Sequence, residues 1–271
     1  MLPTFRMDNA TNTPTKPRRG IYLLPNLFTT GALFAGFYAI IAAISLQYTD
    51  AVIAIFVAGV LDGLDGRVAR LTNTQSEFGV QYDSLSDLVS FGVAPALVLY
   101  VWSLSTLKVY GPAWGKLGWA SAFIFAACGA LRLARFNTQV GVADKRYFTG
   151  LAIPAGAGLA MSYLWAMDDA DLTGAQVQFI TPFVAVITGL LMVSRFRYFS
   201  FKASPKSERV PFYWILAAVL ILVALWINPP KVLFAVAFIY ALSGPVFTLW
   251  GLRQRRSQRE RPPHAGEPPQ P

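Results

Sequence analysis

Residues 61–95 read LDGLDGRVARLTNTQSEFGVQYDSLSDLVSFGVAP. Four aspartates, Asp62, Asp65, Asp83 and Asp87, stand in two otherwise apolar stretches separated by a short polar connector. A charge inside a membrane span costs about 3 kcal/mol or more on insertion scales, so acids there are functional by default. On a helix, Asp62 and Asp65 (i, i+3) share one face, and so do Asp83 and Asp87 (i, i+4). The connector, residues 71–81, makes the two helices antiparallel neighbours. Asp62 lies about nine residues, or roughly 13 Å at about 1.5 Å per residue, from the end of its helix. The four carboxylates are therefore predicted to converge on one cavity near one membrane face.

The rest of the chain agrees with a membrane setting. It has 271 residues, 55% of them hydrophobic and 14% charged, with a mean hydropathy of +0.46. Soluble domains carry about 25% charged residues. Apolar runs of about 20 residues, enough helix to cross about 30 Å of hydrocarbon, recur along the sequence. Eight spans are predicted: 26–46, 51–71, 82–104, 116–137, 149–167, 176–195, 210–228 and 231–251. Each should be helical, because backbone in lipid must satisfy itself. The fold class is an all-α polytopic bundle.

The net charge of +9 points to the membrane surface rather than to nucleic acid. With a cytoplasmic N-terminus, only Lys108, Lys116 and Lys231 of the 23 Lys and Arg fall outside. Arg6, Lys16, Arg18 and Arg19 precede the first span; Lys202, Lys206 and Arg209 follow the sixth; Arg253, Arg255, Arg256, Arg259 and Arg261 lie in the tail. This positive-inside bias orients both termini to the cytoplasm, and the basic rim favours anionic headgroups. Residues 1–25, polar and Pro-rich with no apolar run, form a cytoplasmic segment rather than a signal peptide. Residues 26–209 make a six-helix catalytic core, 210–252 two added helices, and 253–271 a disordered tail. The single cysteine, Cys128, is a core residue, and the single histidine, His264, lies in the tail. Histidine catalysis and histidine-bound metal are not expected.

Four facing carboxylates repel one another unless a cation neutralises them. An all-oxygen set without Cys or His favours Mg²⁺, Mn²⁺ or Ca²⁺ over Zn²⁺, and two ions bridged by acids serve phosphoryl chemistry. Gly63, Gly66 and Gly79 permit close approach of backbone or ligand, or simply pack helices. Arg67 and Arg70 suit phosphate. Chemistry alone also admits a cation or proton pathway, as in a transporter, or a structural role.

The segment resembles the signature of the CDP-alcohol phosphatidyltransferases, D-x2-D-G-x2-A-R-x8-G-x3-D-x3-D. Asp62, Asp65, Gly66, Ala69, Arg70, Gly79, Asp83 and Asp87 fill every fixed position. The resemblance implies a six-helix core with a two-ion Mg or Mn site held by Asp62, Asp65 and Asp83, with Asp87 helping. It makes Asp87 the base that deprotonates an acceptor hydroxyl, which then attacks the β-phosphorus of CDP-diacylglycerol and releases CMP. It assigns Gly66, Ala69, Arg70 and Gly79 to the donor side, with Ser76 a weaker candidate. The stretch 24–29, LPNLFT, resembles the family's opening P-N-x-x-T, adding Asn26 and Thr29; Asn26 read by itself is also a helix cap. Membership further implies a homodimer in the inner membrane.

Several segments are similar to the serine-accepting branch of that family: residues 83–95, 131–137 (LRLARFN), 148–154 (FTGLAIP) and 194–202 (SRFRYFSFK). L-serine is then the expected acceptor. Its carboxylate calls for a cation, which Arg132 and Arg135, with Asn137, can supply; both arginines read equally well as inner-face anchors. Ser86 and Ser90 either orient the acceptor or pack the third span. Glycerol 3-phosphate, inositol phosphate and choline remain alternative acceptors.

Overall fold

The computed structural model describes residues 23–72, 76–138, 147–199 and 212–259. The expectations for the first 22 residues, for Lys202, Lys206 and Arg209, and for residues 260–271 concern positions outside these. All eight expected spans are helices. They are α1 (Leu23–Ile44), α2 (Tyr48–Leu71), a third span begun by α3 (Glu77–Asp87) and completed by α4 (Ala94–Trp102), α5 (Pro112–Thr138), α6 (Ile153–Asp169), α7 (Thr181–Val193), α8 (Phe212–Ile227) and α9 (Pro229–Arg259). Four of them, Pro25–Ile44, Glu77–Trp102, Pro112–Thr138 and Pro229–Thr248, are long and apolar enough to cross a membrane by themselves. The chain is a multi-pass membrane protein. Its outward faces carry exposed Phe34, Phe183, Ile187 and Leu190, as suits helices solvated by lipid.

Local chemistry moves several boundaries. The third span starts earlier than predicted because Ser76 caps it, its Oγ accepting from the Gly79 N–H at 3.0 Å. An N-cap of this kind satisfies a donor that would otherwise be orphaned. The fifth starts later. Residues 147–149 form a strand, β1 (Tyr147–Thr149), antiparallel to β2 (Arg197–Phe199). Gly150 then turns the chain at φ +82°, where a Cβ would overlap the Met192 carbonyl. Pro154 in the first turn opens α6. This ribbon is the one departure from an all-helical fold among the described residues. At the far end, α9 runs to Arg259, so the predicted tail continues as helix for seven residues from 253.

The core is built on small residues. Ala32, Ala35, Ala39, Ala51, Ala54 and Ala58 are buried where α1 packs along α2, because small side chains let helix backbones approach within a membrane. Between α3 and α4, Leu88–Val93 winds as a wider π-turn. Its Ser90 donates to the Ala32 carbonyl at 3.0 Å and lies against Gly36. Its Gly92 meets Gly129 of α5, where a Cβ at 129 would fall 3.6 Å from the Gly92 Cα. The widened turn is thus pinned from both sides, immediately after Asp87.

At the bundle end away from the aspartates, Ser103 donates to the Gly174 carbonyl (2.7 Å), and its hydroxyl lies 2.9 Å from that of Thr181. Tyr163 lies 3.2 Å from the same Thr181 hydroxyl, so α4, α6 and α7 are tied together there. Lys231 pairs with Asp169 at 3.2 Å at this end too, and Asn228 of the α8–α9 turn donates to Asp169. Trp102, the last residue of α4, is buried edge-on against Tyr163, with the ring centroids 6.0 Å apart. Cys128 is buried, as expected.

A side chain at Gly36 would place its Cβ 2.7 Å from the Ser90 Cα. Gly36→Ala should therefore cost about 1–3 kcal/mol, the usual price of overpacking. Gly63→Ala meets nothing within 4 Å and should be neutral or stabilising by up to about 1 kcal/mol through helix propensity. Thermal unfolding of the two variants in detergent distinguishes them.

Candidate active site

The last third of α2 and the first turns of α3 run antiparallel, joined by the short connector. Their facing sides bring Asp62, Asp83 and Asp87 together, one carboxylate oxygen of each lying within 4.8 Å of the others. All three are half-buried. Asp65 is more enclosed, at 5% exposure. It lies against Asp83, and the Thr29 hydroxyl of α1 donates to its Oδ2 at 2.7 Å. The same hydroxyl is 3.1 Å from the Pro25 carbonyl, so its single proton is shared between an acid and a helical carbonyl. Thr29 also accepts through its backbone carbonyl from Ser86, at 3.1 Å. One residue of α1 therefore braces both acidic helices.

This acidic cluster suits a cation. Four carboxylates within contact of one another are mutually repulsive, more so in a low-dielectric surround. Asp83 Oδ1 is buried and has no hydrogen-bond partner among the described residues. A buried acceptor without a donor is costly, and a divalent ion with oxygen ligands removes the cost. The donor set fits Mg²⁺ or Mn²⁺.

The other sequence-predicted residues divide into groups. Asn26, Ser76 and Gly79 meet beside the start of α3: Ser76 caps Gly79, and Asn26 Oδ1 would be 3.5 Å from a Cβ at Gly79. Gly66 has open space where a Cβ would go; its carbonyl accepts from Arg70 Nε at 2.8 Å, which folds Arg70 along α2. Ala69 is half-buried on the same turn. Ser86 and Ser90 are buried and committed to α1 carbonyls, so both pack the third span. Asn137 donates to the Ser84 hydroxyl at 3.0 Å and ties α5 to α3. Arg135 reaches the Val193 carbonyl at 3.4 Å, at the end of α7. Arg132 is electrostatically coupled to Asp87, and its guanidinium lies over the Phe136 ring at 5.7 Å.

Ser84 and Tyr240 were not singled out from the sequence. Ser84 follows Asp83 directly, but its tie to Asn137 depends on how α5 meets α3. Tyr240 had a legible signal, a polar ring inside an apolar span, but its place against Tyr198 depends on helix packing across a long sequence separation.

A family model described as CDP-alcohol phosphatidyltransferase matches residues 22–193. The chain is 40% identical over 186 residues to a CDP-diacylglycerol–serine O-phosphatidyltransferase of Helicobacter pylori, covering 69% of this chain and 76% of that one. The like-named protein of Methanocaldococcus jannaschii is 38% identical over 190 residues, 70% of this chain and 80% of the other. That of Mycobacterium tuberculosis is 45% identical over 148 residues, 52% of this chain and 49% of the other. The family match ends with α7, so α8 and α9 lie beyond it.

Binding of Mn²⁺ to the purified protein, followed by loss of the free-ion electron paramagnetic resonance signal, tests the acidic cluster. Asp83→Asn should weaken binding about tenfold or more, in the range found when groups that support a metal site are removed. Asp50→Asn, at the opposite end of α2, should leave it unchanged.

Proposed function

This chain belongs to the CDP-alcohol phosphatidyltransferase family, and from that membership we propose that it transfers the phosphatidyl group of CDP-diacylglycerol to the hydroxyl of L-serine, giving phosphatidylserine and CMP. It is a membrane-embedded transferase of phospholipid synthesis. The observation that carries the reading is the meeting of Asp62, Asp83 and Asp87 from two adjacent helices within an eight-position motif that every fixed residue fills. Relatives named for the serine reaction, at 38–45% identity, favour serine over the other alcohols.

Asp62, Asp65, Asp83 and Asp87 would hold the divalent cation, Mg or Mn, as the two-ion site that the family resemblance implies. When bound, it supplies charge neutralisation for the pyrophosphate and for the departing CMP. The protein's own groups do the rest. Asn26, Thr29, Gly66, Ala69, Arg70, Ser76 and Gly79 form the donor side, at the end of α2 and the starts of α1 and α3. Arg132 faces Asp87 and receives the carboxylate of serine, a pairing a guanidinium makes well. Arg135 and Asn137 hold the end of α5 against α7 and α3, and Ser86 holds α3 against α1. The Asp87 carboxylate takes the proton from the serine hydroxyl. The serine oxygen bonds to the β-phosphorus, the bond from that phosphorus to the CMP oxygen breaks, and CMP leaves with the electron pair.

The bilayer belongs to the mechanism. The donor's tails remain in lipid while its pyrophosphate meets the acids near one membrane face. The basic segments expected around the spans place that face toward the cytoplasm, with both termini, in the inner membrane. The enzyme is read as a homodimer, residues 26–209 as its catalytic core, residues 210–252 as an addition, and residues 1–25 and 253–271 as cytoplasmic extensions. Nucleic acid has no part in it.

Purified protein given CDP-diacylglycerol and Mn²⁺ or Mg²⁺ should release CMP with L-serine and not with glycerol 3-phosphate, inositol phosphate or choline. CMP formed only with one of the other alcohols rejects the acceptor assignment, and no CMP with any of them rejects the transferase reading. Chelation by EDTA should stop the reaction and added Mn²⁺ restore it. Asp87→Asn should lower kcat by about 10²–10⁴-fold, the scale of general base catalysis, with unfolding temperature and donor binding retained; near-normal turnover removes Asp87 from the proton transfer.

A further inference from the structure

A cavity of about 240 Å³ lies between α2, the π-turn and α6. Phe56, Gly59 and Val60 of α2 form one wall, Phe91 of the π-turn the second, and Pro154 and Gly158 of α6 the third. None of its lining side chains is polar. Phe91 is buried at the back, at 2% exposure, and Val60 at the mouth is 63% exposed, so the cavity opens sideways toward lipid. Gly59 and Gly158 keep it open. A Cβ at Gly59 would meet only the Phe91 ring, at 3.8 Å, and one at Gly158 only the Phe56 ring, at 4.0 Å. Glycine inside a helix is less stable than alanine, and close packing requires it at neither position. What the two glycines preserve is the space.

The cavity continues the acidic site into the bilayer. Two of its three walls extend the spans that carry the acids. Gly59 is three residues from Asp62 and shares its face of α2. Phe91 is four residues after Asp87. Phe56 lies six residues from Asp62, or roughly 9 Å, toward the middle of the span. A lipid whose phosphates meet the acids therefore runs its tail past this wall. We infer that the cavity seats one acyl chain of the donor and makes the enzyme sensitive to chain length. The inference rests on the CDP-diacylglycerol reading above and adds a lipid-tail site to it. An apolar cavity of about 150 Å³ already takes up benzene, so this one holds a run of several methylenes. Bilayer lipid is as apolar as the cavity wall, so hydrophobic transfer contributes little to seating the chain. The cavity contributes shape: a chain fixed between Phe91 and Gly158 aligns the glycerol and pyrophosphate with the acids.

The test has two arms, both on the full-length protein in micelles with Mn²⁺. In the first, a CDP-diacylglycerol with a diazirine midway along one chain is photolysed, and labelled peptides are identified by mass spectrometry. Label should fall within residues 55–60 and 154–158 and be displaced by excess unlabelled donor. A phosphatidylcholine carrying the same diazirine should label them no more than the exposed face around Phe183 and Ile187. Donor label only elsewhere, or equal labelling of the cavity by phosphatidylcholine, overturns the inference. In the second arm, CMP release is compared for dioleoyl and dibutyryl donors. Gly158→Leu fills the cavity beside Phe56. It should lower the ratio of kcat/KM for the long donor to that for the short one about tenfold, the lower end of what a misfit methylene costs in an apolar pocket. Val57→Leu, on the exposed side of α2, should leave that ratio as in wild type. An unchanged ratio in Gly158→Leu, or an equal shift in Val57→Leu, overturns the inference. Should thermal unfolding show Gly158→Leu to be misfolded, the labelling of wild type decides. A wild type that releases no CMP with any alcohol rejects the transferase reading, whereas CMP release without cavity labelling rejects the inference alone.

Discussion

Negative charge gathered where water is scarce is the constraint around which this protein is organised. Asp62, Asp83 and Asp87 meet within 4.8 Å, with Asp65 against Asp83, on helices whose outer faces are solvated by lipid. Such a cluster suits an oxygen-binding cation that neutralises it and rigid packing that holds it. The features nearest the acids serve that holding. Alanines bring α1 against α2, and Ser86 and Ser90 hang the third span on α1 carbonyls. Thr29 reaches from α1 to Asp65. The same first helix that carries Asn26 beside the start of α3 braces the acidic cluster.

The π-turn after Asp87 fits this scheme. Inserted extra residues of this kind commonly occur at functional sites and change the phase of the helix around them. Asp83 and Asp87 face α2, and after the wide turn Ser90 faces α1 while Gly92 faces α5. Glycines at 36, 92 and 129 supply the close approaches on either side, so the site and its packing are one construction.

The hairpin of α8 and α9 extends the same logic outward. Pro245 breaks the helical bonding of α9 at one carbonyl, and Tyr198 repairs it from a different element. A defect in one helix becomes its attachment point. The attachment ties a segment beyond the family match to the ribbon that follows the last helix within it.

The sequence by itself determined the helical membrane class, all eight helices and the identity of the acidic site. Hydrophobic run length and the i, i+3 and i, i+4 spacing of acids are local properties that helix geometry converts directly into position. The motif added the donor-side residues on the same local footing. Only the tertiary structure decided that Ser86 and Ser90 donate to α1 carbonyls, that Arg135 reaches the end of α7, that residues 147–149 pair as a strand with 197–199, and that Tyr198 docks on α9. Each of those depends on which face of one helix meets which face of another. That choice is made by close contacts such as Gly36 on Ser90 and Tyr198 on Gly244, between residues far apart in the chain, and no periodicity within a single segment encodes it.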